Sequence, residues 1–243
     1  MFILLRLAKM NIPSIIGFRV VPKDFLFQGV HWILEVILLV FLFIFLWVCC
    51  CVRSVRYFWK FPMPAAMGNA IAAGPYRDRV QPPSMIVDAI GAKSSMIVVE
   101  IGCGSGFYTV AVAKAIQPDG MVYAVDIQEG MLEKLKARMD REGVSNITPI
   151  LADAEGRIPL EDGIADRVFS VAVIPEIPDP VKAILQAKRL LKQDGVFAEA
   201  ELLLDPDYPM RRTVKKWAKK AGFVFDKQIG NAFRYVLIFR KDS

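Results

Sequence analysis

A single histidine, His31, occurs in 243 residues. Everything after it lacks imidazole, which excludes a histidine general base and a histidine-ligated metal there. Cysteine is scarce as well: Cys49, Cys50 and Cys51 are consecutive, and Cys103 stands alone. That spacing builds neither a disulfide framework nor a metal-binding Cys pair. Internal repeats and low-complexity segments are absent. So is an excess of basic charge over most of the chain, because residues 61–243 carry 24 Lys/Arg against 23 Asp/Glu. With no basic stripe interleaved with aromatics, a nucleic-acid partner is not expected. Most of the net charge of +6 lies in residues 1–60, where seven Lys/Arg accompany two Asp/Glu. Such an excess suits an anionic membrane surface.

What those first residues have is a long apolar run. No charged residue occurs from Val36 to Val52, and extension back to Val30 adds only His31 and Glu35. A helix over 30–52 is roughly 35 Å long at ~1.5 Å per residue, enough for a hydrocarbon core of about 30 Å. The run is apolar on all sides, unlike an amphipathic core helix. A signal peptide has a shorter apolar region that ends at small residues. This run ends at Trp47, three cysteines and Arg53. A single transmembrane helix is therefore expected over 30–52, with a buried core helix as the alternative. Trp32, Trp47 and the Tyr57/Trp59 pair suit the interfaces. Arg53, Arg56 and Lys60 follow the run, against Arg19 and Lys23 before it, which places the C-terminal side in the cytoplasm. The cysteine triplet sits at the membrane boundary, where it either packs in the helix end or is acylated. Residues 1–29 read as a tail or an interfacial helix, and 53–82 as a basic, Pro-rich linker or lid.

From Pro83 the pattern changes. "SMIVVEIG", "MVYAVDI", "ITPILAD", "DRVFSVAVI" and "VFAEAELL" read as buried strands. Between them, "FYTVAVAKAIQ", "EGMLEKLKARMDREG" and "DPVKAILQAKRLLKQDG" read as helices, the last stopping at Gly195. A helix near "MRRTVKKWAKKAG" precedes two final strands, "FVFDKQI" and "FRYVLIFRK". Residues 83–243 are thus expected to form one α/β domain. Its sheet is doubly wound, mostly parallel and seven-stranded, with an antiparallel edge strand.

The chemistry starts at "VVEIGCGSGFYTV", where Gly102, Gly104 and Gly106 lie at the turn from first strand to helix. Glycines let a backbone approach a ligand closely. The spacing is GxGxG; a dinucleotide fingerprint needs a glycine where Phe107 stands. Asp126 ends the second strand and can hold ribose hydroxyls. Asp153 ends the third and can accept from an adenine amino group. Alone, either acid reads equally as a helix cap or a turn. Together they lie at the C-terminal ends of adjacent strands, where open α/β sheets bind ligands.

These segments resemble those of class I S-adenosylmethionine-dependent methyltransferases, of the broad type 11 group. "VEIGCGSGFYT" is similar to that family's first motif, "YAVDIQEGM" to its ribose segment and "ADAEGRIPLED" to its adenine segment. The resemblance covers about residues 83–241. It implies a Rossmann-like fold and S-adenosylmethionine as cofactor. It puts Glu100 and Gly102 near the methionine part, Asp126 at the ribose, and Asp153 with Ala154 at the adenine. Ile127 and Met131 would flank the adenine, core packing being their alternative. Where many relatives carry histidines after the fourth strand, this chain reads "VIPEIPDP".

Glu176 follows that fourth strand and is the candidate acid/base or acceptor-orienting residue. Asp179 is expected to cap the next helix. Tyr76, Tyr108 and Tyr208 are candidates for the acceptor pocket. Asp205 and Asp207, in "LLLDPDYP", are placed to hold an amine from a lid. Arg77 and Arg79 are read as facing the headgroup layer. The expected function is a membrane-anchored methyltransferase acting on a membrane-associated lipid, quinone or isoprenoid. The alternatives are a membrane-protein or soluble acceptor, or a non-catalytic cofactor-sensing scaffold.

Overall fold

The computed structural model describes residues 23–60, 62, 75–203 and 205–242. The expected tail or interfacial helix over 1–29 lies outside the described residues as far as residue 22, and from Lys23 the chain is helical. Two compact units divide it, residues 1–50 and 51–243. Helix α1, Lys23–Phe58, crosses the boundary and extends past 30–52 at both ends. Neither proline nor glycine occurs from Val30 to Trp59, so nothing interrupts its hydrogen-bond ladder. The stretch Trp32–Arg56 is long and apolar enough to cross a membrane. Its side chains from Trp32 to Trp47 are all exposed, which a buried core helix would not permit.

The second unit carries, in order, α2 (Pro75–Val80), α3 (Pro83–Ile90), β1 (Ile97–Ile101), α4 (Phe107–Ala115), β2 (Met121–Asp126) and α5 (Glu129–Glu142). It continues with β3 (Ile147–Leu151), β4 (Ala165–Val171), a 3₁₀ turn (Ile174–Glu176), α6 (Pro180–Leu190), β5 (Leu191–Leu202), α7 (Arg211–Lys220), β6 (Phe223–Gly230) and β7 (Arg234–Lys241). Spatial order is β3-β2-β1-β4-β5-β7-β6. Strands β1 to β5 pair in parallel, and β7 runs antiparallel to both its neighbours.

The antiparallel strand therefore lies one position in from the edge, not at it. The crossover through α7 carries the chain past a vacant position to lay down β6. The hairpin then returns β7 into the gap between β6 and β5. Alternating side chains explain why both sheet faces are covered. Val98, Val122, Ala124, Phe169 and Ala198 pack against α3, α4 and α5. Their neighbours Val99, Val125, Val168 and Phe197 pack against α6 and α7. On that second face Phe197, Phe223 and Phe239 cluster with centroids 5.4–6.4 Å apart. Burying each such ring contributes about 1.5–3 kcal/mol.

Asp179 caps α6 as expected, accepting from the amides of Val181 at 3.1 Å and Lys182 at 3.3 Å. The helix does not reach Gly195. It ends at Leu190, and Leu191 already pairs with Ala165 of β4 before a register shift. Leu191 is fully buried, so its side chain is part of the sheet core rather than of the helix surface.

Candidate active site

The site lies where β1, β2, β3 and β4 end, at the strand-order reversal between β1 and β4. From Ile101 the chain enters the glycine loop, with φ of 75° at Gly102, 51° at Gly104 and 79° at Gly106. Side chains are excluded at two of these for different reasons. A Cβ on Gly102 would lie 2.4 Å from Val173, and one on Gly106 2.3 Å from Leu135. Gly104 has nothing within 4 Å, so its bare backbone faces open space. The amides of Gly102 and Cys103 bond the Val125 carbonyl at 2.8 and 3.0 Å, tying the loop to β2.

Asp126 completes that tie. One carboxylate oxygen accepts from the Gly104 amide at 2.8 Å and the other from the Gln128 amide at 2.9 Å. The carboxylate keeps acceptor capacity for a ligand hydroxyl. Burial raises the Asp126 pKa, and the amides of Gln128, Gly104 and Ile127 oppose the rise. Glu100 is buried beneath the loop and accepts from the Thr109 hydroxyl. Burial pushes its pKa up to about 8, the Thr109 bond lowers it and the Asp126 charge raises it. Asp153 is exposed and uses one oxygen to accept from the Glu155 amide at 2.8 Å. Cys103 is buried, and burial raises its thiol pKa far above the ordinary value, which keeps it unreactive.

A cavity of about 270 Å³ gathers these groups. Glu100, Gly102, Gly104, Asp126, Ile127, Met131, Asp153, Ala154 and Glu176 all line it. Gly106 does not: it sits under Leu135 and starts α4, supporting the loop from behind. Ile127 is 51% exposed at the cavity, so core packing does not account for it, whereas Met131 is buried. Ala172, at φ 55°, turns the chain sharply after β4 and also lines the wall.

Another wall draws on the segment after the apolar run, where the sequence singled out neither Lys60 nor Pro62 for the site, and on the acceptor-side candidates Tyr108 and Asp205. Arg77 lines it as well. Arg77 is buried, its guanidinium 6.0 Å from the Tyr108 ring centroid, so it faces the cavity and not a headgroup layer. Arg79 is exposed. The Tyr108 hydroxyl donates to Gln81, which ties the Pro-rich segment before α3 to α4. Tyr208 is turned away, donating to the Ala232 carbonyl at 2.6 Å, and the side chain of Tyr76 lies outside the described residues. Glu176 is bound by Arg56 at 3.0 Å, and Arg56 also pairs with Asp207. No signal in the sequence links Arg56 to residues more than a hundred positions away; there it reads only as a flank of the apolar run.

A family model described as a methyltransferase domain matches residues 92–239, more than half of the chain. The chain belongs to this methyltransferase family. A crystal structure of an S-adenosylmethionine-dependent methyltransferase from Aquifex aeolicus has the same fold. Its TM-score is 0.68 at 22% identity, over 73% of this chain and 98% of that one. A protein-L-isoaspartate O-methyltransferase of Methanothrix thermoacetophila is 26% identical over 62% of this chain and 69% of its own length. A chloroplastic 2-methyl-6-phytyl-1,4-hydroquinone methyltransferase of Oryza sativa subsp. japonica is 30% identical over 52% of this chain. The match spans only 38% of the rice protein's length. Residues 92–239 are thus a methyltransferase domain, for which S-adenosylmethionine is the expected cofactor. Its residues fit that cofactor: an open glycine backbone, an acid with acceptor capacity beside it, and an exposed apolar side chain at the mouth.

Proposed function

We propose that this chain is a membrane-anchored methyltransferase. It passes the methyl group of S-adenosylmethionine to an acceptor held at the membrane, of the lipid, quinone or isoprenoid type. Residues 30–52 span the bilayer, 53–82 form the linker and lid, and 83–243 work in the cytoplasm, where the cofactor occurs. The observation that carries this reading is the chain leaving the apolar helix, which at Lys60 and Pro62 lines the cavity itself. An apolar acceptor can then enter from the bilayer without crossing water. The prenylated hydroquinone named for the rice relative is an acceptor of this kind.

In this reading Asp126 accepts from the ribose hydroxyls and Asp153 from the adenine amino group. Ile127 and Met131 flank the ring beside Ala154. Glu100, Gly102 and Gly104 receive the methionine part, with Gly106 supporting their loop. The cofactor supplies a methyl group already activated on a sulfonium. What the chain adds is alignment, which can contribute about 7–11 kcal/mol in a displacement of this type. Glu176, at the acceptor end, orients the acceptor atom and takes the proton that it sheds.

Full-length protein in vesicles of its native membrane, given methyl-labelled cofactor, should place label in the lipid-extractable fraction. Label confined to membrane protein would favour the alternative suggested by the isoaspartate relative. Label confined to water-soluble compounds, or recovery of the intact chain from carbonate-washed supernatant, would refute the membrane reading.

A further inference from the structure

We infer that Arg56 is a positioning residue that draws Glu176 and Asp207 together, completing the acceptor end of the cavity from the segment that follows the apolar run. This rests on the proposed role of Glu176. Residues 51–55 of the second unit are exposed, but Arg56 is buried. Its guanidinium meets Glu176 at 3.0 Å and pairs with Asp207 through its ε nitrogen. These acids stand on different loops, one after β4 and one after β5.

Two further cations each hold one of these loops. Arg53 donates to the Leu203 carbonyl at 2.7 Å, and Lys60 to the Pro175 carbonyl. At spacings of three and four residues, Arg53, Arg56 and Lys60 thus bind the two loops that frame the cavity. Charge explains why this matters. Glu176, Asp205 and Asp207 bring carboxylate oxygens within 4.8 Å of one another. Three anions so close repel unless cations stand among them. Among the described residues, Arg53, Arg56, Lys60, Arg77 and the buried Glu201 stand around this cluster, and Arg56 is the one that pairs with both Glu176 and Asp207. The basic residues after the apolar run therefore have a second task besides setting orientation: they hold the acceptor end of the cavity together.

The test is hydrogen exchange on full-length protein in lipid nanodiscs, after correction for intrinsic rates. The reporting amides are Glu176 and Ile177 in one loop, and Asp207 and Tyr208 in the other, all hydrogen-bonded within their loops. Arg56→Gln should speed exchange at both loops by about tenfold. The effect should shrink toward acid pH, because burial raises the Asp205 pKa and its protonation relieves part of the repulsion. Arg56→Lys should recover part of the protection, and Asp207→Asn should loosen only the second loop. S-adenosylhomocysteine affinity should stay within about twofold, since the cofactor half does not use Arg56. Wild-type exchange at both loops in Arg56→Gln would overturn the inference, as would a loosening that ignores pH. Failure of the wild-type chain to bind S-adenosylhomocysteine would instead fault the proposed function, and the exchange result would still stand.

Discussion

Replacing Glu100 by glutamine should stabilise the cofactor-free protein at neutral pH while weakening its cofactor binding. Glu100 is 1% exposed, and burial raises its pKa from 4.5 to about 8. A raised folded-state pKa means that the folded chain holds the proton more tightly than the unfolded chain. Stability from this group is therefore fullest below about pH 4.5, declines through the window up to about 8, and is level beyond it. At pH 7 the unfolded state is favoured by roughly 3 kcal/mol through this ionisation, and at pH 5 by less than about 1 kcal/mol. Glutamine cannot ionise and still offers Thr109 an acceptor oxygen. The variant should thus gain roughly 3 kcal/mol at pH 7, or about 6–12 °C in Tm for a domain of this size, and little at pH 5. Melting without ligand in detergent at both pH values measures this. Calorimetry should then show S-adenosylhomocysteine binding weakened by about 1.5–3 kcal/mol, because the ligand's ammonium draws Glu100 into its charged form and glutamine has none. An equal melting difference at both pH values, or a loss at pH 7, would refute the electrostatic reasoning.

Two further substitutions probe the loop. Asp126→Asn should weaken S-adenosylhomocysteine binding by about 1–3 kcal/mol in the same calorimetry, and unchanged affinity would remove Asp126 from the ribose. Gly106→Ala should cost about 1–3 kcal/mol of stability in denaturant or thermal melting, because its φ is 79° and the new methyl would meet Leu135. Adding Leu135→Ala should relieve the collision but not the backbone strain.

The cofactor half of the site was legible because its signals are local. Gly102 and Gly104 follow β1 directly, and Asp126 and Asp153 stand at or just past the ends of β2 and β3. Strand periodicity places each strand end, and parallel pairing brings those ends side by side. The order of the last two strands was less legible, since alternation reveals that β6 and β7 form a hairpin but not which of them enters the sheet. The end of α6 was hidden for a similar reason: "RLLKQDG" continues a helical pattern in which Gly195 is the first visible stop. Only burial of Leu191 against the sheet moves the boundary earlier. The acceptor half was illegible. Arg56 and Asp207 lie 151 residues apart, and no periodicity connects a flanking cation to a loop acid.

The two halves also differ in what balances their charge. Around the glycine loop Glu100 and Asp126 are buried acids with raised pKa values, opposed by hydroxyl and amide donors and, among the described residues, by no paired cation. That half is electrostatically incomplete by itself, and a ligand bearing positive charge supplies what is missing. At the Glu176 and Asp207 end the acids are met by Arg56, which belongs to the protein. That half can be assembled before any ligand arrives. A cofactor that leaves and is replaced at each turnover fits the first arrangement, since burial of acids without a fixed counter-ion leaves affinity to the ligand's own charge. A wall whose acids are paired within the chain fits the second, since it stays in place while the cofactor exchanges.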